Sequence, residues 1–420
     1  MRIQASIVSE TSRNPGADTP VGYARVSTRG QDHQCGAEGV VCDSVTRWLA
    51  HEPFGWRPTT LLIRVRRYRC PGCRHVWRQD TSKAAAPRSR FSRAAVTWAL
   101  VALVCQHLTV ARVTEALGVA WSTANDAILA EGQRVLISDP HWFDGMSVIG
   151  VDEHVWRRTR HGDKYVTVII DLTPVRGGTG PARLLDIVEG CSKQSFKKWL
   201  ADRPKTWQAN IDVVAMDGFT GFKTAAAEEL QDAVTAMGLF HVVRLAGEAL
   251  DRCRRRVQQE LHGHRGLASD PLYRARRTLH TGAGLLTDRQ AAHLTDLFAT
   301  EEHVPVEVTW GIYQRIAAYR HPDPKRGREL MTELLESVSH GVPDALVEII
   351  SLGRTLKKWA VDVLAFFDRP GTSNGPTEAI NGRLEHLGGS ALGFRNLTHY
   401  IARSLPETGG FRKQLHPQLG

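Results

Sequence analysis

Two apolar runs of the chain each end in an aspartate, and this pattern constrains the fold more than any other feature of the sequence. Residues 148–151 lead into Asp152, and residues 211–216 lead into Asp217. Short apolar runs of this kind predict buried strands. An acid at the carboxyl end of a strand projects into the crevice beside the sheet, where oxygen ligands can hold a hard cation. The sequence therefore predicts an acidic site at one edge of a sheet.

The segments around these two runs alternate between strand and helix patterns. Residues 165–172 and 184–188 are further apolar runs, which we expect to form an antiparallel meander with the first one. Residues 192–200 and 222–230 have helical periodicity. The following stretch, 240–365, is mostly helical in pattern and contains no convincing strand. An α/β domain with a large helical insertion follows from this order.

A third acid, Glu378, lies near the start of a helix that begins at Pro376 or Thr377, where the helix dipole favours a negative charge. Clustered carboxylates can hold two divalent ions, which suits phosphoryl transfer on a polyanionic substrate such as DNA. A single acid at a strand end is more often a turn former or a cap. Spacing alone therefore leaves the metal site and the structural alternative about equally favoured.

Residues 91–138 have the pattern of a helix-turn-helix. Thr109 is suited to cap one helix and Gly118 to form the turn before the next. Near the start of the last helix lie three short polar residues suited to DNA contacts, Ser122, Thr123 and Asn125. The alternative is an ordinary helical hairpin without DNA-binding function.

Residues 35–80 contain short β-like runs, which predict a hairpin that ends at Cys70 and Cys73. A CxxC pair is half of a four-ligand zinc site. An arginine-rich strand in this region predicts phosphate contacts through Arg64, Arg66 and Arg67.

The net charge of +10 favours a polyanionic partner. The chain has 7 Cys, too dispersed for a disulfide framework, and no apolar run approaches the roughly 20 residues of a membrane span. A cytoplasmic protein with no membrane partner is expected. A basic run in the helical stretch, including Arg254 and Arg255, is a further candidate for phosphate contacts, although such runs are usually solvated faces.

Five segments of the chain resemble transposases of bacterial insertion sequences in the ISL-three family. The resemblance extends from about residue 35 onward. The segments are VIGVDEHVW (148–156), VAMDGFTGF (214–222), FHVVRL (240–245), NGPTEAINGR (374–383) and ALGFRN (391–396). The resemblance implies an RNase H-like α/β catalytic domain with a large helical insertion, preceded by a zinc-ribbon-like β module and a helix-turn-helix. The expected parts are a poorly ordered N-terminus (1–31), a zinc-ribbon-like module (32–82), the helix-turn-helix (91–138), the first part of the catalytic core (146–239), the insertion (240–370) and the rest of the core (371–420).

The resemblance implies that Asp152, Asp217 and Glu378 are the catalytic acids, which hold magnesium or manganese. Glu153 competes for the first position, but alternation along the strand turns it to the opposite side. The implied activity is DNA cleavage and strand transfer at terminal inverted repeats, by a homodimer or larger assembly. The resemblance also implies roles for three further residues. His241 and Asn381 would support the site, and Arg395 would bind DNA. His241 could instead have a purely structural role. Asn381 could instead contact DNA or be an ordinary surface residue.

Three features depart from the family pattern. In the family pattern an acid stands three residues before the histidine, whereas this chain has Gly238 there. This chain also has Gly388 at a position where the family usually has a basic residue. The third departure lies in the ribbon, where Asp32 occupies the place of a Cys beside Cys35. Candidate zinc ligands are therefore Cys35, Cys42, Cys70 and Cys73, with His33 as a substitute.

Two other functions remain as alternatives. Residues 22–31 resemble the opening strand of serine recombinases, with Ser27 as nucleophile, but the α/β domain that should follow is absent from the sequence. The second alternative is a catalytically inactive DNA-binding regulator derived from a transposase.

Overall fold

The computed structural model describes residues 6–7, 21–24, 38–157, 164–264, 266–317 and 323–415. The chain divides into two compact units, which we call the first and second units. The first comprises Met1–Trp142 with His386–Gly420, and the second is Phe143–Glu385. This division differs from the predicted one, because residues from His386 onward group with the N-terminal part of the chain and not with the catalytic core.

A β-sheet opens the first unit. Its strands are β1 (Ser6–Ile7), β2 (Val21–Ala24), β3 (Val40–Phe54), β4 (Arg57–Arg69) and β5 (Val76–Arg78). Strands β3 and β4 form the long antiparallel hairpin that the sequence predicts, and β5 pairs with β4 after the Cys70–Cys73 turn. Gly55 and Trp56 connect β3 to β4 with positive φ angles of 54° and 68°, as a tight hairpin turn requires. Of the predicted N-terminal features, Ser27, Asp32, His33 and Cys35 lie outside the described residues.

Three helices follow in the same unit. They are α1 (Arg93–Val104), α2 (Val110–Leu117) and α3 (Trp121–Gly132), and α3 continues into a π-helical turn, Gln133–Ile137. The hydroxyl of Thr109 accepts a hydrogen bond from the Arg112 backbone N–H (3.3 Å), and Gly118 ends α2 at a φ of 64°. The cap and the turn are therefore where the sequence predicts them.

The second unit is built on a mixed five-stranded sheet. Its strands are β6 (Val148–Val155), β7 (Tyr165–Asp171), β8 (Arg183–Glu189), β9 (Val213–Met216) and β10 (Val234–Met237). The order is β10-β9-β6-β7-β8, in which β6, β7 and β8 form the predicted antiparallel meander, while β9 is parallel to both β6 and β10. This mixed α/β architecture is compatible with an RNase H-like domain.

The register of the sheet brings the two strand-end acids to the same edge. Val151 of β6 pairs with Met216 of β9 in parallel. Asp152 and Asp217 each follow by one residue, so they lie side by side in register. All four residues of β9 are at most 1% exposed, which explains its continuous apolar sequence, since a central parallel strand is buried on both faces.

Helices flank this sheet and fill the predicted insertion. Beside the sheet lie α4 (Thr173–Arg176), α5 (Lys193–Ala201), α6 (Lys205–Ala209) and α7 (Thr220–Glu229). The insertion contains α8 (Leu239–His262), α9 (Pro271–Ala275), α10 (Asp288–Phe298), α11 (Val304–Ala317), α12 (Pro324–Ser339), α13 (Val347–Lys358) and α14 (Ala360–Asp368). These helices share one core around residues such as Leu250, Met331 and Leu352. Within the described ranges, no helix combines the length and apolar character that crossing a membrane requires.

The last helices are α15 (Gly375–Ser390), α16 (Leu397–Thr408) and α17 (Arg412–Leu415). The first turn of α15 packs closely on β6 at Gly150. A Cβ atom at Gly150 would lie 2.9 Å from Thr377 Oγ1 and 2.8 Å from Ile170 Cγ1. Since Thr377 is fully buried and precedes Glu378, the missing side chain at Gly150 allows the third acid to approach the sheet.

Replacing Gly150 by Ala tests this packing. We expect Gly150→Ala to lower the free energy of unfolding by about 1–3 kcal/mol, because the added methyl overpacks a closed contact. Gly382→Ala is the matched control, since Gly382 lies within α15 and has open space around its Cβ position. That variant should be neutral or more stable by up to about 1 kcal/mol. Calorimetry of both variants checks the difference, and equal stability would show that the Gly150 contact is not tight.

Candidate active site

Three carboxylates converge at the edge of the sheet in the second unit. Asp152, Asp217 and Glu378 each offer an oxygen atom, and these atoms all lie within 4.8 Å of one another. Asp152 is on β6, Asp217 follows β9, and Glu378 is in the first turn of α15. Among the described residues this is the only group of three or more His, Cys, Asp or Glu side chains placed to hold a metal ion. The three predicted catalytic acids, 226 residues apart at the extremes (378 − 152), thus meet.

Burial and neighbouring negative charges both oppose the ionisation of Asp152. Its side chain is nearly buried, at 6% exposure. Burial, followed by the negative charges of Asp217 and Glu378, raises the pKa of Asp152 to about 8. Burial and the charge of Asp217 also raise the pKa of Glu378. Because a divalent cation would offset this repulsion, oxygen ligands in this arrangement fit a hard metal ion.

Asp217 is in the opposite electrostatic situation. Burial acts to raise its pKa, but the hydrogen bond from His241, the charge of Arg244 and the hydrogen bond from Asn374 outweigh it and lower the pKa. The Oδ2 atom of Asp217 lies 3.0 Å from His241 Nδ1 and 3.1 Å from Arg244 Nη2. Asn374 Nδ2 donates to the other carboxylate oxygen at 3.1 Å. Asp217 is therefore held ionised and fixed in orientation.

The hydrogen bonds around His241 define its tautomer. The backbone N–H of Gly218 donates to Nε2 at 3.3 Å, so Nε2 is unprotonated. The hydrogen of the neutral ring is then on Nδ1, which donates to Asp217. Arg244 Nη2 approaches the same Nδ1 at 2.8 Å, but a protonated nitrogen cannot accept, so the productive contact of Arg244 is the one with Asp217. His241, expected to support the site, thus contacts a predicted catalytic acid.

Gly238, which stands where the family pattern carries an acid, packs closely against Asn374. A Cβ atom at Gly238 would lie 2.8 Å from Asn374 Cβ and 3.0 Å from Asn374 N. Gly238 therefore leaves room for the residue that donates to Asp217. His241 keeps its contact with Asp217 although no acid stands at position 238.

Asn381 supports the other acid. Its amide donates to Asp152 Oδ2 at 2.9 Å, and its side chain is 9% exposed, so it is not a simple surface residue. The backbone N–H of Glu153 donates to Asp152 Oδ1 at 2.8 Å. The side chain of Glu153 is exposed and accepts a hydrogen bond from Cys191 Sγ at 3.3 Å. Glu153 is therefore outside the triad, as strand alternation predicts.

Sequence analysis missed Arg244 and Asn374. Arg244 lies three residues after His241 on α8, on the same helix face, and Asn374 lies in the loop before α15. Both are inside segments that carry the family resemblance. Their position beside polar site residues was the available signal, but only the folded chain brings them to Asp217.

The predicted DNA contacts differ in accessibility. Asn125 is 3% exposed and Arg254 is 5% exposed, so neither side chain lies on an open surface, and their roles in DNA binding stay predictions. Arg254 instead pairs with Asp251 at 3.1 Å and donates to Gln258 at 2.6 Å. The other predicted contacts are exposed or partly exposed: Ser122, Thr123, Arg64, Arg66, Arg67, Arg255 and Arg395.

The predicted zinc site is only half represented among the described residues. Cys70 and Cys73 form a tight turn, in which the Cys73 backbone N–H donates to Cys70 Sγ at 3.5 Å. Cys42 does not join them in a group of three ligands. Its thiol contacts the Arg67 carbonyl oxygen at 3.5 Å. Cys35 lies outside the described residues, so the full zinc-ligand set stays a prediction.

Comparison with known proteins agrees with this geometry. A family model described as "Transposase", for DDE transposases of the ISL3 type, matches residues 149–404, which include all three acids. Two relatives, each described as the transposase for insertion sequence element IS1557, come from the CDC 1551 and H37Rv strains of Mycobacterium tuberculosis. Each is 26% identical over 77% of this chain and 74% of its own length. The chain therefore belongs to the ISL3 family of DDE transposases.

Proposed function

We propose that this transposase binds the terminal inverted repeats of an insertion sequence, cleaves each end and joins the freed 3′-hydroxyl to target DNA. The observation that carries the proposal is the convergence of Asp152, Asp217 and Glu378 within 4.8 Å. Such a cluster of acids would repel a DNA phosphate unless cations were bound, so it suits a metal-dependent reaction on DNA.

Membership of the DDE transposase family implies the use of divalent metal ions, and we propose magnesium, with manganese as a substitute. When bound, these ions would activate the attacking oxygen and stabilise the departing one. The three acids would supply the ligands. Asp217 is ready as an anion because His241, Arg244 and Asn374 stabilise its charge. Asp152 must first lose its proton, because its surroundings favour the protonated carboxyl group.

We further propose that the catalytic domain is RNase H-like and that helices α2 and α3 act as a helix-turn-helix on the terminal repeats. Support comes from the mixed sheet, from the exposed Ser122 at the start of α3, and from the exposed Arg64 on β4. A zinc site that includes Cys70 and Cys73 remains part of the proposal. Pairing two DNA ends also requires a dimer or larger assembly.

Removing one acid tests the proposed reaction. We expect Asp152→Asn to lower the rate of metal-dependent cleavage of DNA carrying the element's ends by more than the roughly 10–100-fold typical of losing an outer partner of a metal ligand. Glu153→Gln is the matched control, because this neighbouring acid is exposed and outside the triad. If both variants cleave like the wild type, the three acids are not the catalytic residues. If the wild type binds the ends but does not cleave them, the chain is an inactive regulator.

Metal binding should depend on pH through Asp152. Since the pKa of Asp152 is about 8, the proton competes with the cation below that pH. We expect the affinity for Mn²⁺, measured by calorimetry without DNA, to rise about tenfold per pH unit from pH 6 to pH 8 and then to level off. Asp152→Asn should bind more weakly and lose most of this slope. An affinity of the wild type that is constant from pH 6 to pH 9 would contradict the account.

The contact between His241 and Asp217 should influence the same affinity. We expect His241→Ala to weaken Mn²⁺ binding by about 10–100-fold, because the carboxylate loses the donor that orients it. His280→Ala is a suitable control, since His280 lies in the same unit and contacts Tyr313 and Asp251. Equal Mn²⁺ affinities of the wild type and His241→Ala would assign His241 a purely structural role.

A further inference from the structure

A cavity of about 470 Å³ lies within the first unit. Its walls come from the start of α2, the start of α3, the end of α15, α16 and the loop between those two helices. None of the three acids lines it. The volume is within the range of about 300–1,000 Å³ found for sites that bind small molecules or single groups.

Two buried donors that line this cavity lack a partner. Asn125 and Arg403 are 3% and 6% exposed, and neither Asn125 Nδ2 nor Arg403 Nη1 has a hydrogen-bond partner among the described residues. Burial outweighs the nearby charge of Glu407 and lowers the pKa of Arg403 to about 10, so the guanidinium stays charged at neutral pH. Buried unpaired donors destabilise a protein. A ligand with acceptor atoms in this cavity would satisfy them.

The remaining charges of the cavity also favour an acceptor-rich or anionic ligand. Glu407 is the one acid among the lining residues, and its Oε1 atom is already 2.6 Å from His107 Nδ1. Arg395 and His399 add exposed donors to the wall. An anion would therefore meet several donors and little repulsion.

The rim of the cavity carries exposed apolar groups. Trp121 is 53% exposed at the start of α3, and Leu392 is 96% exposed with a positive φ of 56°. A non-glycine residue in this conformation is uncommon. Exposed aromatic and aliphatic side chains beside donors are the groups with which proteins stack or unstack bases.

These features distinguish among the groups that DNA offers. One nucleotide combines a flat apolar face, acceptor atoms on the base and an anionic phosphate, which match the apolar rim and the donors of the cavity. Asn side chains pair with adenine and Arg side chains with guanine or phosphate. Trp121 follows the turn at Gly118, so the rim lies next to the helices proposed to contact DNA.

We propose that this cavity binds a single extrahelical nucleotide of the bound DNA, with Asn125 and Arg403 as the buried donors that recognise it. The proposal rests on the proposed binding of terminal repeats but not on the cleavage reaction. Extruding a nucleotide disrupts pairing and stacking, and this cost is smallest where the nucleotide is already unpaired. Removing the opposing base should therefore strengthen binding.

The test uses a set of duplexes that carry the element's terminal repeat. In each duplex an abasic site stands opposite a different position of the repeat. At one position we expect the wild type to bind the abasic duplex about tenfold or more tightly than the paired duplex. Asn125→Leu and Arg403→Met should reduce this preference to less than about twofold. Arg134→Met is the matched control, because Arg134 is exposed, pairs with Glu131 and does not line the cavity; it should keep the full preference.

Thermal unfolding separates recognition from folding. If Asn125 and Arg403 serve a ligand, then Asn125→Leu and Arg403→Met should unfold at the same temperature as the wild type or higher, because each removes an unpaired buried donor. Variants that unfold earlier would assign both residues a structural role and overturn the proposal. Normal binding of paired duplexes without a preferred abasic position, or a preference that survives both substitutions, would also overturn it while leaving the proposed function intact. Failure to bind any repeat duplex would contradict both.

Discussion

The structure depends on holding three carboxylates together at the edge of one sheet. Two of them, Asp152 and Glu378, meet mainly burial and like charge, which raise their pKa values. The third, Asp217, is surrounded by donors from α8 and from the loop before α15, which lower its pKa. The metal-free site therefore combines one stabilised anion with two carboxyl groups whose pKa values are raised. Only a cation, or protons, can balance this arrangement, which links the local electrostatics to the metal-dependent chemistry of the DDE transposase family.

The surrounding fold serves this cluster at two points of close approach. Gly150 lets Thr377, and with it Glu378, pack against β6. Gly238 lets Asn374 reach Asp217. At both places the absent side chain removes a steric barrier between an element of the sheet region and the chain around α15. The helical insertion adds His241 and Arg244 from the first two turns of α8. Residues from the start of the insertion and from the loop after it thus converge, although more than 130 residues separate Asn374 from His241 (374 − 241 = 133).

The features that sequence predicts well are those with a local signal. Strands β6 to β9 are short apolar runs, and the acids at their ends follow from chain order alone. Strand β10 was missed because its four residues lead directly into α8, and a short apolar run cannot be told from the start of a buried helix. The partners of Asp217 depend on tertiary contacts, which have no local pattern. The same reason explains why the burial of Asn125 and Arg254, and the grouping of residues from His386 onward with the N-terminal part of the chain, were not predicted.

Diffraction from crystals soaked in Mn²⁺, recorded at the manganese absorption edge, tests the central claim most directly. We expect anomalous density within ordinary coordination distance, about 2.0–2.6 Å, of carboxylate oxygens from Asp152, Asp217 and Glu378 together. Density bound to one of these residues alone, or found only elsewhere on the chain, would contradict the claim that the three acids form a shared metal site.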